Sequence, residues 1–266
     1  MNIATVASET VWKDVKKNVE LTEHHVQEVL RLFPNTQIIL FPEISLAGFV
    51  VDPTNQDIAQ SIDGEAVSEI KRIANEYNVA LICGMIEKND EGKLFNTQFV
   101  VSKDGELVAK YRKNHLFTEG AEPEVFTPGG ELVTFVFEGW KCGISTCFDI
   151  RFPRLFEAYK KAGVECMFAG FNWVAGRNKP AIMDHLVKAR AHENQYFFAA
   201  VDRTGSDPNT TYYGTNIIAN PYAEDTAKHE GIYGYAEITK EDIVNISKTL
   251  PLGGSFKETY VVENEA

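Results

Sequence analysis

The chain has 266 residues, 44% of them hydrophobic, and 26 Lys and Arg against 38 Asp and Glu give a net charge of -12. That length fits one large domain, taken here as residues 1–266, or two small ones, and the apolar content is enough to fill a core. The acidic balance argues against a general role on nucleic acid or an anionic membrane. No apolar run reaches the ~18 residues that would suggest a spanning helix, and no basic segment followed by an apolar stretch opens the chain. Cys83, Cys142 and Cys166 sit inside apolar runs. They read as buried, reduced thiols, so the expected compartment is the cytoplasm.

Residues 2–7 read as a strand. A helix over 14–33 follows, with Val15, Val19, Val26 and Leu30 near one face and Asp14 as its N-cap. Residues 37–41 are a short buried strand, and 65–77 a helix with Ile70, Ile73 and Ala74 on its apolar side. Three successive strands are expected at 79–87, 97–101 and 107–110, separated by turn residues such as Asp104-Gly105. Strands at 132–137 and 142–146 flank Glu138-Gly139. A helix over 153–162 begins at Pro153, which suits the first turn. Then come a strand at 164–169, a helix at 180–194, a strand at 197–201, late strands at 215–219 and 234–238, and a last helix at 240–247. The alternation of buried runs with helices predicts an α/β protein.

Three of these runs end on reactive side chains. Glu43 follows Ile38-Ile39-Leu40-Phe41-Pro42, Lys113 follows Tyr111-Arg112, and Cys147 ends Gly143-Ile144-Ser145-Thr146. A thiol at the end of a strand and near a helix N-terminus can have a lowered pKa. Taken singly, each has an ordinary explanation: a buried core thiol, a loop-capping carboxylate, and a solvated lysine beside Lys110 and Arg112. Together, a thiol, a carboxylate and an ammonium are what nucleophilic amide hydrolysis requires: a nucleophile, a proton carrier and positive charge at the oxyanion.

The order Glu43, Lys113, Cys147 resembles the Glu–Lys–Cys set of the nitrilase, or carbon–nitrogen hydrolase, superfamily. Further fragments match along nearly the whole chain: Asn96-Thr97, Glu122 ahead of Pro128-Gly129, Asn172-Trp173, and the run from Ala189 to Gln195. The resemblance implies a four-layer α-β-β-α sandwich, a homodimer formed through a helical face, and a mechanism without cofactor or metal. It implies that Cys147 attacks the amide carbonyl and that Glu43 carries the proton. Lys113, with the backbone N–H of Phe148, would stabilise the oxyanion, and Glu122 would hold the lysine. His115 and Asp149 are expected as structural hydrogen-bonding and capping residues, and Glu193 and Asn194 as support for the site.

Cys147-Phe148-Asp149-Ile150-Arg151-Phe152-Pro153 is similar to the Cys-Tyr-Asp-Leu-Arg-Phe-Pro of omega-amidase-like members, which act on 2-oxoglutaramate and 2-oxosuccinamate. The substrate expected is therefore a small amide bearing a carboxylate. Arg151 would pair with that carboxylate, or else form a structural ion pair. Phe117, Phe148 and Trp173 would wall the pocket and Asn172 would contact the amide; each could equally be plain core. Phe148, Val174, Ile182-Met183 and Asn216 depart from the usual residues, and all bear on pocket shape. The alternatives are an amidase for deaminated glutathione, N-carbamoyl compounds or aliphatic amides, and a non-catalytic binding protein of the same fold.

Overall fold

The computed structural model describes residues 1–52, 54–252, 257 and 259. In chain order the first half holds β1 (Asn2–Val6), α1 (Val15–Leu32), β2 (Ile38–Leu40), α2 (Asn55–Ile58), α3 (Glu65–Glu76), β3 (Ala80–Lys88), β4 (Leu94–Val101) and β5 (Leu107–Arg112). Next come α4 (Glu122–Val125), β6 (Thr134–Phe137), β7 (Trp140–Thr146), α5 (Pro153–Lys161), β8 (Cys166–Phe171), α6 (Lys179–Asn194) and β9 (Phe197–Asp202). The chain goes on through β10 (Thr204–Asp207), β11 (Thr210–Tyr213), β12 (Asn216–Ala219), β13 (Lys228–Glu230), β14 (Tyr233–Glu237) and α7 (Lys240–Thr249).

The strands form a seven-stranded sheet in the order β13-β14-β1-β2-β3-β4-β5 and a five-stranded sheet in the order β12-β9-β8-β7-β6. Each has a parallel centre, β1-β2-β3 in one and β7-β8-β9 in the other, edged by antiparallel strands. Parallel strands need both faces covered, and three apolar clusters supply the cover. Ile38, Leu40, Ile82 and Tyr111 of the larger sheet meet Ile144, Phe168, Phe197 and Val201 of the smaller one. The outer face of the larger sheet packs on Val26 and Val29 of α1 and Ile70 and Ile73 of α3. That of the smaller sheet packs on Phe156 of α5 and Val187 of α6. Alternate residues of one strand thus enter different clusters, as Leu40 and Ile39 do. The result is helix, sheet, sheet, helix, the four layers expected. Truncating a residue such as Ile82 to Ala would cost about 2–5 kcal/mol.

Local signals held where they were physical. Asp14 caps α1 by accepting from the Lys17 N–H at 2.9 Å, and Pro153 occupies the first turn of α5. The boundaries moved at two places that matter for the site. The strand expected at 97–101 starts at Leu94, and the one expected at 107–110 runs to Arg112. Asn96 therefore lies within a strand, and Lys113 directly follows one. The hairpin β10–β11 and the short strand β13 were not expected; their polar residues carry no apolar alternation. Among the described residues no helix is long and apolar enough to cross a membrane.

Candidate active site

Glu43, Lys113 and Cys147 each follow the C-terminal end of a strand, β2 and β5 from the larger sheet and β7 from the smaller. Asn172 follows the adjacent β8. Stacking the sheets brings these ends together, the usual place for a site in an α/β fold.

Glu43 is fixed by close packing of bare backbone. Its main chain leaves β2 into a turn closed by Ala47 N–H to Ile44 O at 3.1 Å, and Ile44 takes a positive φ of 44°. Gly84 and Gly170 face that turn. A Cβ on Gly170 would lie 2.6 Å from the Glu43 nitrogen, and one on Gly84 would strike the Ile44 nitrogen. Only glycine lets β3 and β8 approach so closely. Lys113 is held by its N–H to Asn96 O at 2.9 Å and by the Gly129 N–H to its own carbonyl at 2.8 Å.

The Lys113 ammonium, 1% exposed, donates to Glu43 Oε1 and to Glu122 Oε2, both at 2.8 Å. Asn96 Nδ2 bridges the same two carboxylates, at 2.7 Å to Glu43 and 2.8 Å to Glu122. The Asn172 N–H donates to Glu43 Oε2 at 2.7 Å, and the Phe117 N–H to Glu122 Oε2 at 2.5 Å. Burial opposes the lysine charge, but Glu43 and Glu122 outweigh it and hold the ammonium above its ordinary pKa. Burial raises the Glu122 carboxyl; Lys113 opposes that rise and Glu43 adds to it.

Cys147 begins a 3-10 turn, Cys147–Arg151, and adopts a positive φ of 44°. Such a conformation is costly for a residue with a side chain. A capping box between Thr146 and Asp149 holds the turn. Asp149 Oδ2 also accepts from Tyr111 Oη at 2.7 Å, and Asp149 Oδ1 meets His115 Nδ1 at 2.8 Å. His115 and Asp149 therefore act on the turn, as expected.

One expectation is corrected. Cys147 does not have a lowered pKa: burial first, and then the Glu43 carboxylate, push its thiol well above the ordinary value. Lys113 and the Asn172 backbone N–H oppose this without reversing it. The resting group is a thiol, and a base beside it is needed to make the nucleophile. The support expected from Glu193 and Asn194 runs through Arg190. Glu193 is exposed and pairs with Arg190 at 2.9 Å, and Asn194 donates to the Arg190 carbonyl. Arg190 in turn reaches the cysteine turn, through Nε to Ile150 O at 3.1 Å.

All five residues expected at the substrate, Phe117, Phe148, Arg151, Asn172 and Trp173, line one slot with Cys147. Phe117 and Phe148 tilt against each other at 5.3 Å. Arg151 is exposed, and it makes no structural ion pair among the described residues; its guanidinium lies 4.7 Å from the Trp173 ring centre. The slot's volume is about 20 Å³, room for roughly one water. A larger groove, about 590 Å³, is lined by Lys110, Arg112 and Pro128. The charges of Lys110 and Arg112 are already matched by buried Glu87.

Three residues at the site were not singled out as its members. Asn96 bridges the carboxylates. Asp202, at the end of β9, takes the Trp173 N–H on Oδ1 at 2.7 Å. Lys179 lines the slot. A polar Asn inside an apolar strand was a usable signal for the first; nothing local marked Lys179.

A sequence profile of the family described as Carbon-nitrogen hydrolase matches residues 2–245. The chain is 28% identical over 243 residues to the 2-oxoglutaramate amidase of Bacillus subtilis, covering 89% of this chain and 90% of that protein. It is 31% identical over 221 residues to Omega-amidase NIT2 of Homo sapiens, covering 78% and 79%. Its fold is shared with a CN-hydrolase superfamily protein of Xanthomonas campestris, with a TM-score of 0.87 at 23% identity over 99% of both chains. Nit3 of Saccharomyces cerevisiae, a member of branch 10 of the nitrilase superfamily, gives a TM-score of 0.87 at 23% identity over 95% of both. The chain belongs to the carbon–nitrogen hydrolase family, on the omega-amidase-like branch of the nitrilase superfamily, and is an amidase.

Proposed function

We propose that this amidase hydrolyses the terminal amide of a small carboxylate, such as 2-oxoglutaramate or 2-oxosuccinamate, to the acid and ammonia. The observation that carries the mechanism is the buried Lys113 ammonium shared by Glu43 and Glu122 beside the Cys147 thiol. Cys147 Sγ attacks the amide carbonyl carbon while its proton passes to Glu43. The oxyanion forms against the Lys113 ammonium and the Phe148 N–H. Glu43 returns the proton to the amide nitrogen, the C–N bond breaks, ammonia leaves and a thioester remains. Water then attacks the thioester, losing a proton to Glu43. Collapse of the second oxyanion breaks the C–S bond and the proton returns to the thiol. Glu122 keeps Lys113 in place and charged throughout.

Unpaired Arg151 at the slot mouth supports a carboxylate on the substrate, since guanidinium and carboxylate match bidentately. The Bacillus subtilis relative, a 2-oxoglutaramate amidase, agrees with that class. The test is ammonia release from 2-oxoglutaramate, 2-oxosuccinamate, glutamine, an N-carbamoyl amino acid, a short aliphatic amide and a nitrile, each with a Cys147→Ala control. Cysteine-dependent release from the 2-oxo amides above all others supports the proposal. Preference for the N-carbamoyl or neutral amide overturns the substrate and keeps the chemistry.

A further inference from the structure

Lys179 is the first residue of α6, and its ammonium lies 4.8 Å from the centre of the Trp173 ring. The Arg151 guanidinium lies 4.7 Å from the same ring. Two cations thus share one indole at the rim of the slot that holds Cys147. Trp173 Nε1 donates to the main-chain carbonyl of Lys179 at 2.8 Å, which fixes the lysine backbone beside the ring.

Like charges held together raise the free energy of a site unless an anion joins them. The chain has 38 acidic residues to draw on, yet among the described residues Lys179 and Arg151 make no ion pair. The titratable neighbours of Lys179 are Arg151 and Cys147; burial and then the Arg151 charge push its ammonium below the ordinary value. A separate observation points the same way. Asn172 is 5% exposed and lines the same slot, and among the described residues neither its side-chain oxygen nor its side-chain nitrogen has a partner. A buried amide left open on both atoms fits a ligand with polar groups of its own.

We propose that Lys179 is a specificity residue. With Arg151 it forms a two-cation rim that accepts amides bearing a carboxylate and a second oxygen acceptor at the far end. The same rim rejects amides that carry an ammonium there. The proposal rests on the amidase reading and names the substrate class of that site. A 2-oxo acid presents a carboxylate and a keto oxygen, two acceptors for two cations. The matching α-amino acid presents an ammonium where the keto oxygen would be. Discrimination then comes from repulsion as well as from attraction.

The test compares kcat/KM for 2-oxoglutaramate, glutamine and pentanamide, in the wild type and in Lys179→Met and Lys179→Arg. Lys179→Met is expected to cost 2-oxoglutaramate at least ~10-fold more than pentanamide, mostly in KM, and to narrow the preference over glutamine. Lys179→Arg is expected to restore most of both. Equal losses on all three amides overturn the proposal, because they assign Lys179 only the task of holding Trp173. A separate arm measures 2-oxoglutarate binding to Cys147→Ser by calorimetry, with and without Lys179→Met. Binding weakened at least ~10-fold by the second change supports the rim even if no amide is turned over. Turnover of pentanamide with no binding of 2-oxoglutarate removes the rim and leaves the amidase standing.

Discussion

Lys113 Nζ lies 2.8 Å from Glu43 Oε1 with both side chains sealed from solvent. One ammonium therefore holds Glu43, the proposed proton carrier, in place, and it also bridges Glu43 and Glu122. Lys113→Met leaves two buried carboxylates without their counter-charge. The expected result is a loss of about 3–5 kcal/mol of stability, the usual scale for breaking a buried pair, with kcat down at least ~10²-fold. Urea denaturation and ammonia release check the two effects. Adding Glu122→Gln should recover part of the stability and none of the turnover.

Cys147→Ala and Cys147→Ser are expected to abolish turnover while the protein stays folded. Iodoacetamide should label Cys147 faster than Cys83, Cys142 or Cys166, which are fully buried. Mass mapping of the alkylated protein decides this; labelling spread evenly over all four would sink the assignment of Cys147 as nucleophile.

Glu43→Gln keeps the shape and removes the base. Because the Cys147 thiol is held above its ordinary pKa, it cannot ionise unaided near neutrality, and turnover should fall by ~10²- to 10⁴-fold, the range for losing general-base catalysis. A rate near that of the wild type would show that the thiol is activated by some other group.

Gly170→Ala tests how the Glu43 turn is positioned. The added Cβ would sit 2.6 Å from the Glu43 nitrogen and 2.7 Å from the Pro42 carbonyl carbon. Backbone cannot yield as a flexible side chain can, so overpacking of about 1–3 kcal/mol is expected. Turnover should fall further than that stability loss explains, because Glu43 moves relative to Cys147. Activity measured well below the unfolding transition separates the two.

His25 gives a pH signature away from the site. Its ring is largely buried against Tyr233, with Nδ1 3.0 Å from the Tyr233 hydroxyl, and burial lowers its pKa to about 4. The unfolded chain takes up that proton near pH ~6.5, so it binds more protons than the folded protein in between. Stability from neutral His25 is present above about 6.5 and is lost as pH falls toward 4. The wild type should lose about 3 kcal/mol from this group over that window. His25→Gln should show a flatter dependence of urea midpoint on pH.

The chain order Glu43, Lys113, Cys147, the buried runs before them and the α/β alternation were all legible in the sequence. Strand ends and turn residues are local, and reactive side chains placed directly after apolar runs stand out. Glu122 was singled out only by its match to the family's second glutamate ahead of Phe126 and Pro128-Gly129; composition alone did not separate it from Glu119 and Glu124. What local pattern could not supply is which groups face one another across two sheets. Asn96 lies 53 residues from Glu43 and joins it only when β4 packs beside the turn after β2. The raised Cys147 thiol follows from desolvation, which depends on everything packed around it. Lys179 carries no mark in its own segment. Its place at the slot is decided by where α6 begins on the smaller sheet and by the Trp173 indole Nε1–H that holds its carbonyl. The sequence by itself determined the candidate reacting groups and their order, because each follows directly on a buried run. Only the tertiary structure decided the raised Cys147 thiol and the pair of cations beside Trp173, because those depend on distance and burial in space.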